Sequence, residues 1–206
     1  MSIAESEKFL VTLWTKIPII NVDLLVGNGG IVKYPDGQRT LVTAKHVAFF
    51  TSKPRNFTIK SLSGEYKWTE PNSSFRKRVG LDIAEAELPP GDGIEIAETF
   101  DGIEGLTLVG SIYNRPFKSR AEVTRIDAEF IDELEYPRNI RARGKILQLR
   151  NLNIHFPNPS NKGASGCLSL NKDGQVVSVH SRVLKKDRNH LFGCLLVDKN
   201  EQRESY

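Results

Sequence analysis

The chain has 206 residues, 39% of them hydrophobic and 26% charged, with a formal net charge of +4. That length suits one large domain or two small ones, and 16 Gly with 10 Pro exclude collagen-like or low-complexity disorder. The longest uncharged apolar run, residues 191–197, falls far short of the ~20 residues a membrane-spanning helix needs, and two cysteines, Cys167 and Cys194, are too few for a disulfide-stapled secreted scaffold.

Near the N-terminus, Glu5 and Glu7 occur without a small-residue cleavage site after an apolar stretch, so no secretory signal is expected. Short runs then dominate. Residues 10–14, 23–26, 30–34, 40–43, 56–61 and 65–69 are β-branched or alternating and predict strands. Turn chemistry separates them at Gly27-Asn28-Gly29, Pro35-Asp36-Gly37, Ser63-Gly64 and Pro71-Asn72-Ser73. After Pro89-Pro90-Gly91-Asp92-Gly93, which suits neither helix nor strand, a second set is predicted at 106–113, 121–126, 139–143, 146–152, 166–170, 175–179 and 192–197. Residues 128–134 could form a short helix. The expectation is an all-β chain in two parts, 1–90 and 91–206, of sandwich or barrel type.

Three segments carry chemistry. A predicted strand ends in a histidine at Thr43-Ala44-Lys45-His46, an acid sits among apolar neighbours at Asp82-Ile83-Ala84, and a serine is flanked by glycines at Gly163-Ala164-Ser165-Gly166. A serine hydroxyl cannot attack an amide unaided, because its proton must go to a base. An imidazole titrates near neutrality and suits that work, and a carboxylate behind it fixes the tautomer. Glycines let the backbone turn so that N–H groups at Gly163 and Ser165 aim at a developing oxyanion. Taken singly, His46 reads equally as a hydrogen-bonded strand-end residue, Asp82 as a cap and the Gly-x-Ser-Gly turn as a loop. The order His, Asp, Ser in one all-β chain carries more weight than any of them.

With these motifs the chain resembles the chymotrypsin-like (trypsin-fold) serine proteases, whose Thr-Ala-x-His, Asp-Ile-Ala and Gly-x-Ser-Gly segments match those above. The resemblance implies two antiparallel six-stranded β-barrels, the N-terminal one carrying His46 and Asp82 and the C-terminal one carrying Ser165 and the specificity pocket, with the site in the cleft between them. It extends from a hairpin at Gly27-Asn28-Gly29-Gly30 to the last predicted strand. The secreted digestive enzymes differ: Cys167-Leu168 follows the nucleophile motif here, Ser160 precedes Ser165 by five residues and His180 follows it by fifteen. That arrangement is similar to viral polyprotein-processing proteases of the sobemovirus and picornavirus type and to bacterial glutamyl endopeptidases. Few cysteines and the missing signal favour the viral group, which implies the host cytoplasm.

In this fold the residue before the cut enters a pocket walled by the segment before the nucleophile and the strand after it. Ser160, Ser178 and His180 then supply donors, and residues 158–162 hold no acid to select Arg or Lys. Glu, or else Gln, is the expected preference, with Lys162 adding positive potential. Cys167 is expected to be a small buried hydrophobe and His155 a loop or strand-surface residue. No cofactor or metal is implied. The expected partner is a polypeptide, with the chain's own precursor among the candidates. Basic clusters at 76–78, 138–145 and 182–188 leave open an RNA- or protein-binding module on the same fold, with catalysis secondary or lost.

Overall fold

A computed structural model describes residues 2–17, 21–51, 53–78, 81–98, 107–112, 122–127, 139–142, 145–148, 151–155, 164–183 and 190–196. The strands it describes are β1 (Leu10–Ile17), β2 (Val22–Lys33), β3 (Arg39–Ala44), β4 (Asn56–Ser61), β5 (Lys67–Pro71), β6 (Arg76–Lys77), β7 (Ile83–Glu87), β8 (Ile94–Glu95), β9 (Thr107–Ile112), β10 (Glu122–Asp127), β11 (Asn139–Ala142), β12 (Lys145–Gln148), β13 (Asn151–His155), β14 (Leu168–Leu170), β15 (Val176–Val183) and β16 (His190–Leu195). Two α-helical turns, α1 (Ile3–Ser6) and α2 (Lys45–Ala48), and two 3-10 turns, Glu7–Phe9 and Asn72–Ser74, accompany them. Among the described residues no helix is long and apolar enough to cross a membrane. The predicted short helix at 128–134 and the polar C-terminal residues lie outside the described residues.

The first sheet runs β5-β4-β1-β2-β3-β7-β6, with β8 added in parallel beside β2. The expected strands at 23–26 and 30–34 are one strand, β2, β7 is a five-residue strand beyond those expected, and two strands of only two residues each, β6 and β8, extend the sheet. The second sheet runs β10-β9-β14-β15-β16-β13, and β11 pairs with β12 separately. Residues 89–93 do not swing free of the first sheet. The Arg39 guanidinium donates to the Asp92 carbonyl at 2.8 Å and to the Pro89 carbonyl at 3.3 Å.

Most predicted strands appear within one or two residues, but one expectation fails instructively. Gly27-Asn28-Gly29-Gly30 does not form a hairpin; it runs through the middle of β2, which is continuous from Val22 to Lys33. The glycines are there for close approach. A Cβ on Gly27 would sit 2.7 Å from Val47 Cγ2 and 2.8 Å from the Ser165 carbonyl oxygen, and one on Gly30 would overlap Leu168 Cδ1. A bulge at Val26 of β2, opposite the step from Leu13 to Trp14 of β1, shifts register just before this glycine run begins, bending the pair. The turn at Pro35-Asp36-Gly37 forms as predicted, with the Gly37 N–H on the Tyr34 carbonyl at 2.9 Å and Gly37 at φ 84°.

Strand alternation drives the core. Leu10, Leu13, Ile31, Leu41, Phe57, Ile59 and Ile83 of the first sheet are at most 1% exposed, and they belong to one apolar cluster with Val109, Leu168, Val176 and Val179 of the second. Each such side chain contributes roughly 1.5–3 kcal/mol by leaving water. This cluster presses the two sheets together where β2 meets the turn that leads into β14. Gly27→Ala therefore forces a backbone carbonyl to move and is expected to cost about 1–3 kcal/mol. Gly30→Ala meets only a side-chain methyl that can rotate and should cost less; urea unfolding of the two variants gives the comparison.

Candidate active site

The register of β3 against β7 sets the first half of the site. Ala44 pairs with Ile83, so the residues just past the end of β3 meet those just before β7. The chain turns there into α2, and the Lys45 N–H bonds the Asp82 carbonyl at 3.0 Å. The His46 backbone N–H donates to Asp82 Oδ1 at 3.0 Å, and His46 Nδ1 lies 2.6 Å from Asp82 Oδ2. A carboxylate only accepts, so Nδ1 carries the proton and Nε2 is left as the acceptor. Asp82 is 2% exposed while the His46 side chain is 32% exposed. The acid is sealed behind a ring whose far edge reaches solvent.

A third donor completes the carboxylate. Ser181 Oγ, at the end of β15 in the second sheet, donates to Asp82 Oδ2 at 2.5 Å. Burial by itself would raise the Asp82 carboxyl. The hydrogen bond from the His46 ring, the charge of that ring, the Ser181 hydroxyl and the His46 backbone N–H outweigh it and hold the group below its ordinary value.

Ser165 occupies a tight turn that closes with the Cys167 N–H on the Ala164 carbonyl at 3.0 Å. Gly166 has φ +85°, and a Cβ there would overlap the Asn28 carbonyl oxygen, so both conformation and space demand glycine. Two strands grip the turn. The Asn28 N–H of β2 donates to the Ser165 carbonyl at 2.8 Å, and the Gly166 N–H donates to the His180 carbonyl of β15 at 2.8 Å.

These contacts close a circuit. Ser165 touches β2 beside Val47, the neighbour of His46; His46 bonds Asp82; Asp82 bonds Ser181; and Ser181 follows His180, which holds Gly166. Among the described residues the hydrogen bonds of His46 run to Asp82, and none joins it to the Ser165 hydroxyl.

Of the expected pocket residues, Ser178 and His180 are buried, at 0% and 2% exposure, and two-residue spacing puts them on one face of β15. Among the described residues the Ser178 hydroxyl has no hydrogen-bond partner. Ser160, Lys162 and Gly163 lie outside the described residues. Cys167 is a free, fully buried thiol, and burial pushes it far above its ordinary range, which leaves it neutral. His155 stands in β13 opposite His190 of β16 and not in a loop. Ser181 was missed in the sequence; its signal is a hydroxyl one residue after a strand histidine, near a buried acid that needs donors.

This is the chymotrypsin-like β-barrel fold, and solved structures of similar architecture bear that out. The Rv3671c protease of M. tuberculosis in its active form superposes with a TM-score of 0.64 at 18% identity, covering 94% of this chain and 78% of that one. The HtrA-type protease AlgW with a tripeptide gives 0.62 at 14% identity, over 94% of this chain and 58% of that one. The catalytically inactive tobacco etch virus protease complexed with substrate gives 0.57 at 15%, over 95% and 81%. Neither a family model nor a curated protein sequence matches the chain.

The lowered Asp82 carboxyl fixes the sign of one pH effect. Its folded value lies below its unfolded value, ordinarily near ~3.9, so its stabilisation is fully present above that value. It is lost as pH falls through the lowered folded value. Wild type should therefore lose stability over this acid range in a way that Asp82→Asn does not, and coincident changes in acid titrations followed by circular dichroism would contradict the assignment.

Proposed function

We propose that the chain is a serine endopeptidase in which Ser165 is the nucleophile, His46 the general base and Asp82 the group that orients it. The observation that carries this reading is the 2.6 Å contact between His46 Nδ1 and the buried Asp82 carboxylate. It leaves Nε2 as an acceptor on the exposed side of the ring. The Ser165 turn, docked on β2 beside Val47, supports the nucleophile assignment. Cys167 is excluded as a rival because its thiol is buried and neutral.

In the reaction, Ser165 Oγ attacks the scissile carbonyl carbon as its proton passes to His46 Nε2. Asp82 stabilises the imidazolium that forms. Backbone N–H groups at Gly163 and Ser165 receive the oxyanion. Collapse of the tetrahedral intermediate breaks the C–N bond, and the amine leaves with the proton from His46. Water, deprotonated in turn by His46, then hydrolyses the Ser165 ester.

The pocket reading is Glu, or Gln, before the cut. A buried hydroxyl without a partner costs about 1–3 kcal/mol, so the Ser178 hydroxyl gains when an acceptor-bearing side chain enters beside it. Such selectivity suits an enzyme that cuts a few defined sites in a precursor, as viral processing proteases do. Of the basic cluster at 76–78, Arg78 is drawn into a half-buried pair with Glu85, whereas Arg76 and Lys77 remain exposed, Arg76 beside Glu87 and Lys77 over the Phe49 ring at 4.5 Å, so a binding module on the same fold stays the second reading.

A fluorophosphonate should label the wild type at Ser165, and Ser165→Ala should abolish labelling. Ser165→Ala or His46→Ala should lower peptide turnover by several orders of magnitude, leaving about 10³–10⁴-fold over water. No label on a folded wild type would refute the enzyme reading. Peptides differing only as Glu, Gln, Ala, Phe or Lys before the cut test the pocket. Glu should be fastest, and His180→Ala should erase that preference; fastest cleavage after Lys or Phe would overturn the pocket assignment.

A further inference from the structure

Asn28 is 1% exposed in the middle of β2, at a position where strand patterning calls for an apolar side chain or none. Its amide takes up both main-chain groups of one residue in the other sheet. Nδ2 donates to the Ser111 carbonyl at 2.9 Å, and Oδ1 accepts the Ser111 N–H at 2.7 Å. One side chain thereby pairs with β9 as a neighbouring strand would. The pairing also fixes which amide atom is which, since Ser111 presents one donor and one acceptor.

The main chain of Asn28 faces the site. Its N–H holds the Ser165 carbonyl at 2.8 Å, and its C=O accepts from Thr43 Oγ1 at 2.5 Å while lying against Gly166. Four hydrogen bonds from one buried residue therefore join β2, β3, β9 and the Ser165 turn. His46 and Asp82 belong to the first sheet, whereas Ser165 leads into the second. A slip between the sheets would change the distance from Ser165 to His46 directly, and a misplacement of ~1 Å can cost about 10²-fold in rate.

We infer that Asn28 is a positioning residue, which sets Ser165 relative to His46 by bonding the second sheet through its amide and the Ser165 carbonyl through its backbone. This rests on Ser165 being the nucleophile. An aliphatic side chain of similar size would leave the Ser111 N–H and C=O without these two bonds, and serine offers one shorter-reaching hydroxyl in place of the amide's separate donor and acceptor atoms.

The test compares wild type, Asn28→Ala, Asn28→Ser and Ile59→Val, the last a core trimming in β4 that loses stability without touching this network. The readouts are the rate constant for fluorophosphonate labelling and the kcat and KM for p-nitrophenyl acetate, each taken where the variant is fully folded. Asn28→Ala should label about ten- to a hundredfold more slowly and lose kcat by a similar factor at unchanged KM. Asn28→Ser, which can still donate to the Ser111 carbonyl, should recover part of both, and Ile59→Val should match wild type. Folded Asn28→Ala that labels at the wild-type rate, or a loss confined to KM, overturns the inference. If the alanine variant does not fold, Asn28→Ser decides: labelling at the wild-type rate overturns the inference, and slowing supports it. A wild type that takes no label overturns the nucleophile reading and this inference with it, whereas a labelled wild type with unaffected Asn28 variants overturns the inference alone.

Discussion

The Asp82 carboxylate is the point at which fold and site become one problem. A buried ion is stable only where hydrogen bonds replace its water, and removing a single partner from such a group is strongly destabilising. Three donors reach Asp82: the His46 backbone N–H, the His46 ring and the Ser181 hydroxyl. Two come from the turn that leaves β3, and the third comes from β15 of the other sheet. Satisfying the charge therefore requires the two sheets to be docked, and docking them brings the Ser165 turn alongside. Any sequence that buries this acid must build the surrounding arrangement or leave an uncompensated charge.

β2 supplies the docking surface. It pairs with β1, β3 and β8, and its glycines let the Ser165 carbonyl, Val47 and Leu168 approach closer than a Cβ would allow. Leu168 and Val179 then enter the same apolar cluster as Leu10 and Ile31. The burial that stabilises the sheet contact also fixes the Ser165 turn where Leu168 and Val179 pack. Thr43 has a double use on this view: its position in β3 aims the chain at His46, and its hydroxyl bonds the Asn28 carbonyl behind Gly166.

Much of this was legible in the sequence because the chemistry is local. His46 follows a β-branched strand by two residues, Asp82 sits among apolar neighbours, and Ser165 stands near glycines, each a pattern of adjacent residues. Strands such as Asn56–Ser61 and the turn at Gly37 follow equally local rules. What was misread or missed depends on partners far away in the chain. Gly27-Asn28-Gly29 carries every mark of a turn, yet it pairs with β1 and β3 as a strand, and its glycines are explained only by the approach of Ser165 and Leu168, more than a hundred residues later. Ser181 looks like an ordinary polar residue and Asn28 like a turn residue until Asp82 and Ser111 are seen beside them. The strands β6 and β8 are two residues long and carry no period to read.

The basic cluster before Asp82 shows the same long-range logic applied to a loop. Arg78 and Ile83 flank the residues that lead to Asp82, and the Arg78 N–H bonds the Ile83 carbonyl at 3.1 Å, closing that loop at its neck. The Arg78 side chain reaches Glu85 on β7 at 3.1 Å and the Tyr34 hydroxyl at 3.1 Å, with its guanidinium over the Tyr34 ring. Tyr34 in turn donates to Glu85. Arg78 and Glu85 are each only about one-fifth exposed, so solvent screens this pair less than the open pair between Arg76 and Glu87. A planar guanidinium that pairs with a carboxylate and stacks on a ring holds one geometry, which a lysine could not reproduce. Of the charges that read in the sequence as an invitation to an anion, that of Arg78 is instead turned inward, where it ties β7 to Tyr34 next to the strand that begins just after Asp82.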